Sequence, residues 1–252
     1  MSIHVHLLPK LVDPASLRGG IAVVIDVLRA TTTIVHALAA GVNLVIPCGE
    51  IEQAREITAT TLTGTALLGG ERQGQRIPGF DLDNSPLKYT SDILTGKTLV
   101  FTTTNGTRAL SVCLEASRIL VAAFVNRQAT IDVLSAYGRP VHLVCAGTDG
   151  YITTEDVLFA GSIASALYQT AGGRETGGRG TADDETQLAI ALWETADRQP
   201  DAILQVLRNS RGGRNLIELG FDADIARSAE CDRFDFAAEF HTAQNEIRIA
   251  QS

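Results

Sequence analysis

Short, nearly continuous apolar runs alternate along the chain with longer stretches whose apolar positions recur at helical spacing. The runs predict strands at Val5–Leu8, Ile21–Ile25, Leu44–Pro47, Ala66–Leu68, Thr98–Thr102, Arg118–Ala122 and Val141–Cys145. The intervening pattern predicts helices at Thr32–Ala40, Ile51–Thr60, Pro86–Leu94, Gly106–Ala116, Arg127–Tyr137 and Glu155–Tyr168. Apolar strands that alternate with helices imply a mainly parallel or mixed sheet covered on both faces, a three-layer α/β/α arrangement. Further on, helices are expected at Asp184–Ala196, Asp201–Arg208 and Asp222–Ala229, while Phe240–Ile249 reads as a hairpin or an edge strand. Gly172–Gly180 reads as a flexible Gly-rich loop without the Gly-Lys-Ser/Thr ending of a P-loop. The whole is expected to be one unit, 1–252, or two similar lobes, 1–130 and 131–252.

Composition narrows the class. A chain of 252 residues with 45% hydrophobic content can bury a sizeable core, which favours an ordinary globular enzyme over a disordered segment. A net charge of -8 argues against nucleic-acid or membrane-surface binding, although an anion site needs only a few arginines. No apolar stretch is long enough to span a bilayer and no basic-then-apolar leader opens the sequence, so a cytoplasmic protein is expected. Cys48, Cys113, Cys145 and Cys231 form no C-x-x-C pair and are expected to be buried, reduced thiols.

Candidate chemistry gathers where strands turn into helices, the usual place for ligands in parallel α/β sheets. Asp26 follows the Ile21–Ile25 strand and could hold a divalent cation or orient water; Arg29 could fork onto oxyanions. Thr31–Thr33 could donate hydroxyls or simply cap the helix. A second turn, Thr102-Thr103-Thr104-Asn105-Gly106-Thr107-Arg108, repeats the combination of hydroxyls, Arg and helix start. A third, Cys145–Asp156, ends in Glu155 and Asp156, which are either favourable first-turn carboxylates or metal ligands beside Asp26. The long segment Gly69–Ser85 adds Glu71, Asp81 and Asp83 as acids and Arg72 and Arg76 as anion contacts. Ser85 before Pro86 reads as a helix N-cap.

Several mechanisms are excluded. Position 28 is Leu, so the D-x-D phosphoenzyme signature is missing after Asp26. Tyr151 stands six residues after Cys145, where a cysteine-phosphatase loop needs Arg. His4, His6, His36, His142 and His241 lack metal-binding spacing, and no G-x-G-x-x-G follows a strand.

The stretches VVIDVLRATTTIVHAL (23–38), GERQGQRIPGFDLDNSP (70–86), TTTNGTRAL (102–110) and CAGTDGYITTEDVLFAGSI (145–163) resemble the 2-phosphosulfolactate phosphatase family; RGGRNLIELGFDADI (211–225) is a weaker match. The resemblance implies a Mg²⁺-dependent hydrolase that converts 2-phospho-3-sulfolactate to 3-sulfolactate and phosphate, a step of coenzyme M biosynthesis in methanogens. On that basis Asp26, with one or more of Glu71, Asp81, Glu155 and Asp156, is expected to organise Mg²⁺ and the attacking water. Arg29, Thr31, Thr104, Asn105, Gly106 and Thr107 are expected to grip phosphate, and Arg72, Arg108 or Arg211 the distal anions. Direct water attack is preferred, because no nucleophile signature survives. The alternatives are a phosphatase for another small phosphorylated hydroxy acid and a non-catalytic phospho-ligand sensor. The partner is therefore a small polyanionic phosphorylated molecule, with a homodimer the commonest assembly for such a chain.

Overall fold

A computed structural model describes residues 1–60, 64–170, 182–197 and 201–251; the Gly172–Gly180 loop lies outside them. The strands are β1 (Ile3–His6), β2 (Ile21–Ile25), β3 (Leu44–Cys48), β4 (Ala66–Arg72), β5 (Gln75–Arg76), β6 (Thr98–Thr102), β7 (Arg118–Ala122), β8 (Val141–Cys145), β9 (Ala238–His241) and β10 (Glu246–Ile249). The helices are α1 (Ala30–Ala39), α2 (Ile51–Thr60), α3 (Ser91–Leu94), α4 (Asn105–Val112), α5 (Arg127–Tyr137), α6 (Thr154–Thr170), α7 (Asp184–Ala196), α8 (Ala202–Asn209), α9 (Arg211–Glu218) and α10 (Asp222–Ser228). Together they form the expected mixed α/β fold, around one ten-stranded, mostly parallel sheet in the order β1-β8-β2-β7-β9-β10-β3-β6-β4-β5.

Two parallel blocks, β1-β8-β2-β7 and β3-β6-β4, are joined by the antiparallel hairpin β9–β10. The Phe240–Ile249 segment is thus a hairpin, but it sits in the middle of the sheet. Ile247 and Phe240 face Val45 and Ile119 and are buried, so the hairpin behaves as core. Three antiparallel steps make the second block nominally run against the first. Twist changes the outcome. Five pairings separate β2 from β6. At roughly 20–25° per step these accumulate on the order of 100–125° of rotation. The carboxyl ends of β2 and β6 therefore swing toward one corner instead of opposite edges, and one apolar cluster containing Val24, Val35, Leu99, Leu110 and Val121 fills the concave side. A second cluster, with Ile25, Leu143, Phe159 and Leu207, packs α5–α8 on the other face of the first block. A third, smaller one seats α2 on β6 through Ala54 and Val100.

The segment Gly69–Ser85 is more ordered than a loop. β4 runs on to Arg72 and turns back as β5. Pro86–Leu94 divides into a 3-10 turn, Pro86–Lys88, and the single-turn helix α3. Cys48, Cys113 and Cys145 are buried, whereas Cys231 is exposed, because its neighbours Asp232 and Arg233 offer no apolar face. Among the described residues no helix is long and apolar enough to cross a membrane.

Candidate active site

The corner where the β2, β4, β6 and β8 turns meet holds a cavity of about 610 Å³. Its polar wall includes Asp26, Arg29, Glu71, Arg72, Thr104 and Asn105. These come from three of the segments singled out in the sequence, and the twist of the sheet is what gathers them.

Asp26 is buried and tied into its own turn. Its Oδ1 accepts the Ala30 amide at 3.2 Å, so it serves as the cap of α1. Thr31 supports the turn from beneath: its hydroxyl donates to the Asp26 carbonyl (2.8 Å) and accepts from the Asp26 amide (3.1 Å). Thr31 is therefore spent on the backbone and does not line the cavity. The Asp26 Oδ2 lies over the start of α4, where a Cβ on Gly106 would stand 3.1 Å from it and 2.9 Å from the Ala30 Cβ. Only glycine lets α4 approach this closely, and the positive end of that helix then faces the carboxylate.

A column of buried acids continues inward. Asp156 does not face the cavity; its two oxygens accept the Val27 and Gly147 amides, each at 2.9 Å, and so lock the β2 and β8 turns together. Glu155, also buried, packs against α9, where a Cβ on Gly212 would be 2.4 Å from its Oε1. Burial, then the Asp156 charge, pushes Asp26 up to about 8. Burial and then Glu155 push Asp156 to about 8 as well, although its amide donors pull the other way. Burial lifts Glu155 to about 7.

The cations are held differently. Arg29, 3% exposed, donates to Asp224 Oδ2 at 2.6 Å and to the Gly74 carbonyl at 3.0 Å, and its guanidinium lies 4.3 Å from the Phe221 ring centre. Asp224 also accepts from Ser85 Oγ at 2.7 Å. Ser85 thus makes no side-chain cap bond to the Pro86 turn, contrary to the expectation. Arg72 donates only to neutral oxygens: the Glu71 and Gly49 carbonyls and Thr102 Oγ1. Among the described residues it pairs with no carboxylate, so its charge is free for a ligand. Glu71 caps the following turn through the Gly74 amide (2.7 Å) and reaches Thr104 through its other oxygen.

Other expected residues stand apart from the cavity. Asp81 accepts the Leu68 amide at 2.8 Å on an exposed turn. Thr107 bonds to the Thr103 carbonyl, Arg108 is exposed on α4, and Arg211 lines a neighbouring concavity. Conversely, Asn84, Asp149 and Asn215 line the cavity without having been expected there. Asn84 is 4% exposed and its Oδ1 has no hydrogen-bond partner, which leaves a hard oxygen acceptor directed at no protein group. Its place in an Asn-Ser-Pro turn gave no hint of this. Among the described residues no three His, Cys, Asp or Glu side chains converge into a preformed metal cage.

Residues 6–242 match the sequence profile of the 2-phosphosulpholactate phosphatase family. Curated relatives carry the name "probable 2-phosphosulfolactate phosphatase". One, from Clostridium perfringens, is 34% identical over 254 residues, covering 100% of this chain and 98% of the relative. Another, from Caldanaerobacter subterraneus subsp. tengcongensis, is 37% identical over 84% of each chain. A third, from Synechococcus sp., is 40% identical over 87% of this chain and 88% of its own.

Proposed function

The chain belongs to the 2-phosphosulpholactate phosphatase family, and on that premise we propose that it is a phosphoric monoester hydrolase that converts 2-phospho-3-sulfolactate to 3-sulfolactate and phosphate with Mg²⁺. The observation that carries the reading is a single cavity in which Asp26 and Glu71 stand with Arg29, an Arg72 free of carboxylate partners, and the N-terminus of α4.

The substrate bears phosphate, carboxylate and sulfonate, so it needs several donors and counter-charges. Arg29, Thr104, Asn105 and the first amides of α4 suit the phosphate; Arg72 suits a distal anion. Hard Mg²⁺ is content with one or two carboxylates plus water and substrate oxygens, so the lack of a preformed cage is compatible with it. Asp26, Glu71 and the unpartnered Asn84 Oδ1 fit that donor set. Bound there, the cation would neutralise phosphoryl oxygen charge. Asp26, ionised once a cation offsets its burial, would orient the attacking water and take up its proton. As that water adds to phosphorus, the P–O bond to the lactate C2 oxygen breaks, and this oxygen takes a proton from solvent as the sulfolactate hydroxyl. Catalysis then rests on positioning and charge neutralisation.

The test is Mg²⁺-dependent phosphate release from 2-phosphosulfolactate, compared with phospholactate and phosphoglycerate. Preference for the sulfonate substrate is expected. Equal rates on all three would replace it with a general hydroxy-acid phosphatase, and tight binding without release would replace it with a sensor.

A further inference from the structure

A second concavity, of about 590 Å³, adjoins the catalytic one. Residues adjacent in the chain line the two at two places: Asp149 and Gly212 line the catalytic cavity, while Gly150 and Arg211 line the other. Lys10, Arg211 and Arg214 line this second space, and no acidic side chain does. All three cations have neutral partners. Lys10 donates to the Gly150 carbonyl at 3.3 Å, Arg211 lies 4.3 Å from the Tyr151 ring centre, and Arg214 donates to the Asn209 carbonyl. Among the described residues none of them pairs with a carboxylate. Three uncompensated positive charges in one concave wall are unexpected in a chain of net charge -8, and an anion would relieve their repulsion.

The backbone adds to the same field. Thr153 and Thr154 at the start of α6, and Ser210 and Arg211 at the start of α9, line this space. In α9 the Ser210 Oγ already accepts the Gly213 amide at 2.9 Å, so this end contributes its dipole, while the first turn of α6 adds a second positive end beside the three cations. Such convergence of side-chain cations and helix starts is the chemistry of phosphate recognition.

We infer that this concavity is a second anion site, separate from the catalytic cavity, that takes a small phosphate-bearing anion: free orthophosphate or a second phosphomonoester molecule. Arg211 then serves this site and not a distal group of the substrate undergoing hydrolysis. α9 links the two, because Gly212, next to Arg211, lines the catalytic cavity and packs on Glu155. An anion held by Arg211 braces that wall, so occupancy alters turnover.

Equilibrium dialysis with labelled orthophosphate tests the site independently of catalysis. Wild-type protein should bind two phosphates per chain. Lys10→Ala/Arg214→Ala should weaken one of them by at least about tenfold, as expected from the loss of charge-assisted contacts. Basal turnover should persist, since neither residue touches the catalytic cavity. Asn105→Ala should weaken the other phosphate instead. Lys10→Gln/Arg214→Gln replaces the alanine pair if that pair does not fold. A change in kcat on adding orthophosphate, lost in the double variant, identifies orthophosphate as occupant. A departure from hyperbolic kinetics at high substrate, lost in the same variant, identifies the phosphomonoester. One phosphate per wild-type chain, competitive with substrate, overturns the site; so do two phosphates bound undiminished by the double variant. Two sites with kcat indifferent to both ligands overturn the coupling through α9.

Discussion

Removing Asp224 separates the structural work of Arg29 from its chemical work. The Arg29–Asp224 pair has side chains only 2% and 3% exposed and an N–O distance of 2.6 Å. Asp224→Ala leaves a guanidinium buried with only the Gly74 carbonyl and the Phe221 face as partners, and deprives Ser85 of its acceptor. Breaking a buried pair from one side costs about 3–5 kcal/mol, because the remaining charge is uncompensated. For a domain of this size that corresponds to a Tm lower by roughly 6–20 °C. Replacing both partners by apolar residues, Arg29→Met/Asp224→Leu, should recover most of that stability. Thermal unfolding and phosphate release are measured on the wild type and these two variants. Asp224→Ala should lose both stability and activity, whereas the apolar pair should regain only stability. A loss below about 1 kcal/mol in Asp224→Ala would mean that the pair is not desolvated as described. Recovery of turnover in the apolar pair would remove Arg29 from substrate binding.

Asp26→Asn should keep the fold and lower kcat by about 10²–10⁴-fold, the usual range for a lost acid–base group; a wild-type rate would exclude Asp26 from the chemistry. Gly106→Ala should cost about 1–3 kcal/mol through overpacking against Ala30, and should depress kcat because Asp26 is displaced with it. Arg72→Ala should raise KM by about tenfold or more with less effect on unfolding, because its charge has no internal partner to strand; a large Tm loss with KM unchanged would argue the reverse. pH reports on the buried acids. Asp26, Asp156 and Glu155 have folded values raised above their unfolded ones, so the folded state holds extra protons up to about pH 7–8. Their stabilising contribution is present at lower pH and is lost as pH rises through that range, by about 1.4 kcal/mol per pH unit per retained proton. His36 and His142, lowered to about 4, become neutral in both states only above about pH 7.5; between their two values they work in the opposite direction, because the unfolded chain holds their protons. Metal-free Tm should therefore fall between about pH 7 and 8 and level off above, where the acids are ionised in both states, and Mg²⁺ should restore it most at the alkaline end, since binding needs ionised carboxylates. A Tm that rises over this interval without Mg²⁺ would refute the electrostatic description.

The apolar runs made most of the sheet legible: β2, β6, β7 and β8 begin and end at the expected residues, as do α2, α5 and α7. What stayed hidden depends on distant partners. The β9–β10 hairpin is short, and only its pairing with β7 and β3 makes it central. Arg211–Glu218 contains two adjacent glycines and reads as a poor helix, yet Gly212 is required by the approach of Glu155. The same limit applied to the candidate site. The strand-to-helix turns pointed to Asp26, Arg29, Thr104 and Asn105, and the long Gly69–Ser85 segment to Glu71 and Arg72; all six share a cavity. Nothing local marked Asp224 as the partner of Arg29 from 195 positions away, or Asn84 as a side chain with a spare oxygen. Asp81 carried the same acidic signal as Glu71, but its carboxylate is consumed by the neighbouring Leu68 amide.

The central hairpin also orders events during synthesis. β9 and β10 leave the ribosome after every other described strand, so until the hairpin arrives the two parallel blocks are connected through the packing of α1 and α4 but not through the sheet. Each block meanwhile presents an open edge, on β7 and on β3, able to recruit a foreign strand. Native closure requires pairings of large sequence separation, which form slowly. The candidate corner, shared between the two blocks, is thus completed last, and a chain interrupted before residue 238 would contain every site residue named above without the continuous sheet that fixes their relative positions.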